Sequence, residues 1–364
     1  MIKMQLYSIN IKNLRSINRL NMNFKPGINL IYGKNGIGKT SMLEAMYILS
    51  ISRSFRSHLL KNIITDGHTN IEIVGKIKDS KGTSLKIEYY KLKNQKRIKI
   101  NEKKINNLSE LLGVFPATIL SPENINIVIG TNKDKQTFFN MILCHTNKTY
   151  LINLKRYKQT LKQRNVLLQT NPSNEYLKTW DKKLSSLANN IWELRKIFFE
   201  EFISIFQNLW NQIELDVDVI IEYPNNQCLS EKEYYEQLQN KRDKDLSIGH
   251  TTIGPHRDSV NLFINGLSIK DCASQGEKKL FLIVLKIAEA IYIHNKIKKE
   301  PIILLDDLFA MLDKKRGYKV LKLLKKEYQI FITTTDANAE TYFSDHSNLN
   351  FIKLEECNNI CFAA

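Results

Sequence analysis

At 364 residues, with 43% hydrophobic and 25% charged side chains, the chain has the make-up of a soluble globular protein of two domains, or of one domain with a large insert. No apolar run reaches the roughly 20 residues that span a bilayer, and Met1 to Leu6 enters an alternating strand without a leader-like segment, so a cytoplasmic protein is expected. A formal net charge of +17, from 54 Lys and Arg against 37 Asp and Glu, suits a polyanionic partner, although Lys, Ile and Asn recur throughout as an AT-rich genome would produce.

In chain order, residues 2–12 alternate apolar and polar, and Asn13-Leu14-Arg15-Ser16 turns the chain. Ile28 to Tyr32 is a short, largely apolar strand. It delivers Gly33-Lys34-Asn35-Gly36-Ile37-Gly38-Lys39-Thr40, a full G-x-x-x-x-G-K-[ST] phosphate loop, and Thr40 to Ser50 reads as the helix that follows. From about Ile71 to Ile105 alternation returns, and a turn at Asn101-Glu102 predicts antiparallel strands. After Pro116 and Pro122 the period changes, and residues 133–212 hold one proline, Pro172, and no glycine. Leu177, Trp180, Leu184, Leu187, Ile191, Leu194, Phe198, Phe202, Ile205 and Leu209 step by threes and fours, an apolar stripe on one helix. Leu151, Leu154, Tyr157, Leu161 and Leu168 supply a facing stripe before a turn at Thr170 to Asn174. The expected arm is an antiparallel helical hairpin whose second helix, about 38 residues, would be roughly 57 Å long at about 1.5 Å per residue.

Asp216 to Asp245 reads as irregular and polar. Order returns at Thr251 to Asp258, in a strand pair around Phe263 to Gly266, and in a helix from about Gln275 to Lys298. Ile302 to Leu305 is an apolar strand running into Asp306-Asp307. Tyr328 to Thr335 is another buried strand, and Asn350 to Phe362 reads as a closing hairpin around Asn358-Asn359. The five cysteines (Cys144, Cys228, Cys272, Cys357, Cys361) are scattered, only the last two lie close together, and reduced thiols rather than a zinc site are expected.

The chemistry lies at the two ends of the chain. Gly33, Gly36 and Gly38 let consecutive backbone N–H groups face a phosphate at a helix start, with Lys34, Asn35, Ile37 and Ser41 completing the loop. Lys39 suits the β- and γ-phosphates of ATP, and Thr40 offers its hydroxyl to Mg²⁺. Asp306 is the expected Mg²⁺-associated carboxylate. Asp307 is either the base that orients the attacking water or a strand-end cap; its carboxylate reaches less far than a Glu would, which predicts slow hydrolysis. Ala273-Ser274-Gln275-Gly276-Glu277 reads as the signature of an ABC-type ATPase, in which Ser274 and the Gly276 N–H complete the site of a second copy, or as a helix N-terminus with a Ser cap. Asp313 fits the loop that meets that partner, or a helix N-cap before Lys314. The fold expected is thus α/β, an ABC-type phosphate-loop head formed from 1–115 and 247–364 with a mostly helical lobe over 116–246. Arg53 and Arg56 suit nucleotide or DNA phosphate, or surface pairs. His256 and Arg257 suit DNA, a dimer interface or a structural role. Lys91, Lys93, Lys96, Arg97 and Lys99 are either a DNA-backbone track or a solvated strand face.

Several blocks together carry a resemblance. Asn13-Leu14-Arg15-Ser16, Gly33-Lys34-Asn35-Gly36, Ser52-Arg53-Ser54-Phe55-Arg56, Ser121-Pro122-Glu123 and Gln163-Arg164-Asn165 are similar to blocks of the RecF family of recombination mediators. So are Gly254-Pro255-His256-Arg257-Asp258, Ala273 to Glu277 and Asp306-Asp307-Leu308-Phe309, in the same order and over nearly the whole chain. The resemblance implies a weak, DNA-stimulated ATPase that binds duplex DNA and single/double-strand junctions as an ATP-dependent homodimer. It implies RecR as partner, with RecO, in loading RecA at gaps covered by single-stranded DNA-binding protein. Departures from the family pattern are Ile37 in the loop, Asn140 for a frequent Asp, Lys278-Lys279 for a Gln-Arg-like pair, Met311 for a common acid, and no switch His at Thr333 to Asp336. The rival classes are an ATP-binding DNA clamp with negligible hydrolysis and a transporter motor subunit, which would lack the helical insert.

Overall fold

The computed structural model describes residues 3–57, 63–92, 95–170, 173–213, 217–224, 228–307, 323, 328–336, 339 and 349–354. The chain forms two compact units: a head of 1–128, 209–214 and 274–364, and a helical unit of 129–208 and 215–273. These borders differ from those drawn at 115 and 247. Residues 117–120 pair with a strand of the head, and Asp258 is hydrogen-bonded to Trp192, Arg195 and Tyr223 of the helical unit.

The head opens with β1 (Met4–Leu14), β2 (Ile17–Asn23) and β3 (Ile28–Tyr32), followed by helix α1 (Lys39–Ile51). Then come β4 (Asn70–Asp79), β5 (Ser84–Leu92), β6 (Gln95–Ile100), β7 (Lys103–Lys104) and β8 (Ala117–Leu120). Six of these form an antiparallel sheet in the order β2-β1-β4-β5-β6-β7. Its alternation is literal: Ile71, Ile73 and Ile77 of β4 are fully buried, while Lys76 and Lys78 between and beyond them are exposed. Asn101 and Glu102, at φ 46° and 68°, make the predicted turn from β6 to β7. Helix α1 touches strands of this sheet and of a second one, so twelve of its thirteen residues are buried.

The helical unit begins at Ile129, the last residue of α2 (Asn126–Ile129). It contains α3 (Asn132–Thr146), α4 (Lys148–Leu168), all but the last three residues of α5 (Asn174–Asn211), β9 (Val219–Glu222), α6 (Glu231–Asn240), α7 (Arg242–Ile248), β10 (Asn261–Ile264), β11 (Leu267–Ser268) and α8 (Ile269–Cys272). The arm has the expected length, with α5 running 38 residues. Its buried face is offset from the apolar stripe, however. Asp181, Ser185 and Arg195 are buried with Leu177, Leu184, Ile191, Phe198 and Phe202, while Trp180, Leu187, Leu194 and Ile205 are half-buried. The stripe was drawn from apolar residues alone, and partnered polar residues take some of the inner positions.

The stretch expected to be irregular holds β9, α6 and α7 instead. A reciprocal cap starts α6: Ser230 Oγ accepts from the Glu233 N–H, and Glu233 accepts from the Ser230 N–H. Tyr234 and Leu238, one turn apart, are fully buried below it.

The chain then returns to the head with α9 (Gln275–Ile297), β12 (Ile302–Leu305), β13 (Ile330–Thr334) and β14 (Leu349–Lys353). With β3 and β8 they make an all-parallel sheet in the order β14-β3-β13-β12-β8. All residues of β8, β12 and β13 are buried, as a sheet covered on both faces requires. Of the segment expected as a closing hairpin, Leu349–Lys353 is a strand that pairs parallel to β3, in register Leu349 to Ile28. Asn358, Asn359 and the two last cysteines lie outside the described residues, whereas Cys144, Cys228 and Cys272 are not in disulfides.

Candidate functional site

The C-terminal ends of the parallel strands gather the site. Chain direction is the same in every strand, so β3 delivers Gly33, β12 delivers Asp306 and Asp307, β13 ends on Thr333 and Thr334, and β8 leads into Ser121 to Glu123. Gly36 and Gly38 hold φ of 82° and 108°, which a side chain at either position would resist. They turn the chain so that α1 starts at Lys39. Lys34, Asn35 and Gly36 are exposed at the tip, Ile37 and Thr40 are half-buried, and Ser41 is buried. Lys39 is buried and folds back over the loop, its Nζ donating to the carbonyls of Gly33 at 2.6 Å and Lys34 at 2.8 Å. Burial pushes the ammonium below its usual value, against the attraction of Asp307 and Asp306.

Asp306 is buried, and among the described residues its side chain has only neutral donors against it. Thr40 Oγ1 donates to its Oδ1 at 2.9 Å, and Thr333 Oγ1 donates to the same oxygen at 2.7 Å. Burial raises its carboxyl above the usual range, the two hydroxyls oppose this, and Glu123 and Asp307 add to the rise. Asp307 sits at φ 51° with its N–H donating to Thr333 Oγ1. A buried carboxylate facing a hydroxyl, with two more carboxylates near, is the hard oxygen set that suits Mg²⁺. Among the described residues no three His, Cys, Asp or Glu side chains converge on a metal centre.

Two residues here escaped the sequence reading of the site. Glu123 acts electrostatically on Asp306 and pairs with Arg56 at 3.5 Å. Its signal was available, since it follows an apolar strand by three residues, as Asp307 follows β12 by two. Glu44 is the other. Fully buried on α1, it receives Arg15 through two nitrogens, at 2.9 and 3.0 Å, and the hydroxyl of Ser54. The segments Asn13 to Ser16 and Ser52 to Arg56 are thus tied to the helix behind the phosphate loop.

Ser274 is exposed at the N-cap of α9. Its Oγ accepts from the Glu277 N–H at 3.2 Å, while Glu277 accepts from the Ser274 N–H at 2.7 Å; Gly276 lies in the first turn. Asp313 and Met311 lie outside the described residues.

The basic residues separate. Arg53, Lys96, Arg97 and Lys99 are exposed, but Lys91 is buried, and Lys93 lies outside the described residues. Lys91 and Lys96 face each other across β5 and β6. Burial lowers both ammonium groups, and Arg53 lowers Lys96 further. Neither lysine has an ion pair among the described residues.

His256 is structural. Its Nδ1 meets Tyr157 OH at 2.7 Å and its Nε2 meets the Thr251 carbonyl at 3.1 Å; burial holds it at about 4, neutral at pH 7. Gly254 before it has φ 123°, and a Cβ there would lie 2.2 Å from Tyr234 OH. Arg257 is exposed.

A parallel sheet with a phosphate loop on one strand and a paired-acid edge on another, joined to a capped signature helix, defines an ABC-type nucleotide-binding head. A sequence profile for the RecF/RecN/SMC N-terminal domain matches residues 5–355. The DNA replication and repair protein RecF of Chloroherpeton thalassium is 34% identical over 351 residues, covering 92% of this chain and 95% of that protein. That of Azobacteroides pseudotrichonymphae is 32% identical over 334 residues, covering 90% and 91%. A structure of the recombination mediator RecF with ATP, from the RecFOR pathway, superposes with a TM-score of 0.87 at 28% identity, covering 97% of this chain and 98% of that one. The Smc head of Pyrococcus furiosus shares the fold, with a TM-score of 0.56 at 12% identity, covering 97% and 94%. The chain belongs to the RecF family, within the RecF/SMC type of ATPases.

Proposed function

We propose that this chain is an ATP-dependent DNA-binding recombination mediator, which dimerises on ATP and helps load RecA at single-strand gaps in DNA repair and replication restart. The observation that carries the reading is the 2.9 Å contact of Thr40 with Asp306, residues 266 apart in sequence, beside a lysine whose ammonium rests only on loop carbonyls. Gly33 to Ser41 bind the nucleotide. Lys39 supplies the cation for the β- and γ-phosphates, because phosphate oxygens are stronger acceptors than the two carbonyls it now holds. Thr40 and Asp306 would hold Mg²⁺, whose charge when bound offsets that of the phosphates. Asp307 orients or activates water. Its short side chain, and threonines where a switch His would stand, make the ATPase weak, with DNA as its stimulus.

Ser274 and Gly276, with Asp313, serve the site of a second copy, which makes the active species a homodimer. Arg53, Lys91 and Lys96 support a DNA contact: cations gathered without ion-pair partners among the described residues seek phosphate. Backbone contacts of this kind are salt-sensitive and nearly blind to sequence. RecR is the proposed direct partner, with RecO and RecA in the same pathway.

Sedimentation with ATP, ADP and no nucleotide, each with and without duplex DNA, tests the reading. A dimer is expected with ATP alone among the three, together with tight DNA binding. A monomer in every condition, or a dimer indifferent to nucleotide, overturns it. Single-turnover hydrolysis separates a weak ATPase from a clamp that binds ATP without cleaving it.

A further inference from the structure

One groove of the helical unit belongs to neither the nucleotide site nor the lysines of the head. It lies between α4 and α5, holds about 480 Å³, and is lined in part by Arg156, Gln159, Gln163, Trp180, Lys183 and Leu187. Helical spacing puts Ile152, Arg156, Gln159, Gln163 and Val166 on one face of α4, and Tyr176, Trp180, Lys183 and Leu187 on one face of α5. Apolar side chains are left open along that surface: Tyr176 is 69% exposed, Val166 50% and Ile152 45%. The face of α4 is about 21 Å long at about 1.5 Å per residue, or four helical turns. The charged residues lining the groove, Arg156 and Lys183, have one sign; α4 carries no Asp or Glu, and Asp181 of α5 is buried against Arg164 and Arg242.

We propose that this groove is a docking site for an amphipathic helix of a partner protein, with leucine-like anchors on one face and Asp or Glu along its flanks. Two antiparallel helices with an open apolar seam accept a third helix by the packing that joins the first two. Arg156 and Lys183 would take the flanking carboxylates, the two glutamines would bond polar groups at the rim, and the half-buried Trp180 and Leu187 form the floor. Trp and Arg are the residue types that carry most binding energy at such interfaces. A stacked nucleobase fits less well, because Lys183 Nζ already lies 5.6 Å from the Trp180 ring centroid. The site is independent of the nucleotide reading.

Trp180 supplies the readout, because the other two tryptophans, Trp192 and Trp210, are buried. The full chain is titrated with three labelled synthetic peptides: a four-turn helix with Leu anchors and Glu flanks, the same helix with Lys flanks, and a scramble of the first. A single-stranded oligonucleotide is the fourth arm. Binding of the Glu helix alone among the peptides, with a change in Trp180 emission, is expected at sub-millimolar concentration. Trp180→Ala should weaken it about tenfold, the loss of a modest hot spot. Arg156→Glu with Lys183→Glu, on the exposed rim where folding is not at stake, should abolish it. ATP-dependent binding to duplex DNA should be unchanged in both variants. Failure of the Glu helix to bind, equal binding of the Glu and Lys helices or of the scramble, or a Trp180 response to the oligonucleotide alone, overturns the proposal.

Discussion

Both units bury charge, and the nucleotide site of the head satisfies it in a way opposite to the networks of the helical unit. In the helical unit Arg164 is enclosed by Asp181, Asp245 and Thr251, each at 2.7 Å. Asp258 there accepts from Arg195, Trp192 and Tyr223. In the head, buried Asp306 is held by two hydroxyls, and Lys39 by two carbonyls. Full charge-to-charge pairing makes scaffold, since removing either member strands the other. Charge held by neutral groups is exchangeable, and an incoming ion of opposite sign can take it. The contrast separates site from framework without reference to position in the chain.

Replacing Lys39 by Ala breaks the exchangeable side outright. ATP binding should be lost in calorimetric titration, while the fold persists because no carboxylate is left without its hydrogen bonds. Unchanged affinity would remove the loop from the nucleotide site.

Ser274→Arg is aimed at the second copy. Monomer affinity for ATP should stay near the parental value, and ATP-driven dimerisation in sedimentation should vanish. Mixing it with Lys39→Ala should restore up to one working site per dimer. A variant that dimerises normally would refute action in trans.

Arg195→Ala attacks the scaffold, leaving buried Asp258 without its cation and held by Trp192 and Tyr223. A loss of about 3–5 kcal/mol is expected in the denaturation followed by Trp192, whose indole bonds Asp258. ATP binding by the head should survive; its loss would show that the two kinds of buried charge are not separable.

Asp307→Asn keeps shape and removes the base. Hydrolysis should drop about 10²-fold with ATP-driven dimerisation intact. A parental rate would make Asp307 a strand-end cap.

The smallest effect concerns His256, whose pKa is lowered from 6.5 to about 4 by burial, with Arg257 and Arg195 adding and the Thr251 carbonyl and Asp245 opposing. The unfolded chain therefore binds the extra proton first, so stability falls as pH drops from about 6.5 to about 4 and is flat below. The cost at about pH 5 is on the order of 1–2 kcal/mol. His256→Asn should flatten that part of the stability curve relative to the parent. Parallel curves would assign the pH dependence to other groups.

The exchangeable half of this contrast was largely legible in the sequence, because Gly33 to Thr40 and the strand ending in Asp306-Asp307 are local patterns with fixed spacing. The scaffold half was not. Asp181 and Arg195 are invisible to a search for apolar periodicity, and their partners lie elsewhere in the chain. Glu44 looked like an ordinary polar residue on an apolar helix until Arg15 and Ser54 met it. Thr333 read as one β-branched strand residue among three, although its hydroxyl completes the bonds of Asp306. The place of β14 beside β3 went unread for a similar reason, since alternation within one segment does not name its neighbour.

The strand that carries the phosphate loop has neighbours made at the other end of the chain. β3 lies between β13 and β14, and Asn29 bonds Asn350 across 321 residues. On the ribosome β3 waits for both neighbours until Ile330 to Lys353 have been made. The helical unit, made in between, closes its charge networks without needing either of them. Such a head has a high contact order and folds late, with an apolar strand exposed meanwhile. The nucleotide site therefore cannot assemble on a chain interrupted before Ile330, and every copy that binds ATP has been made at least that far.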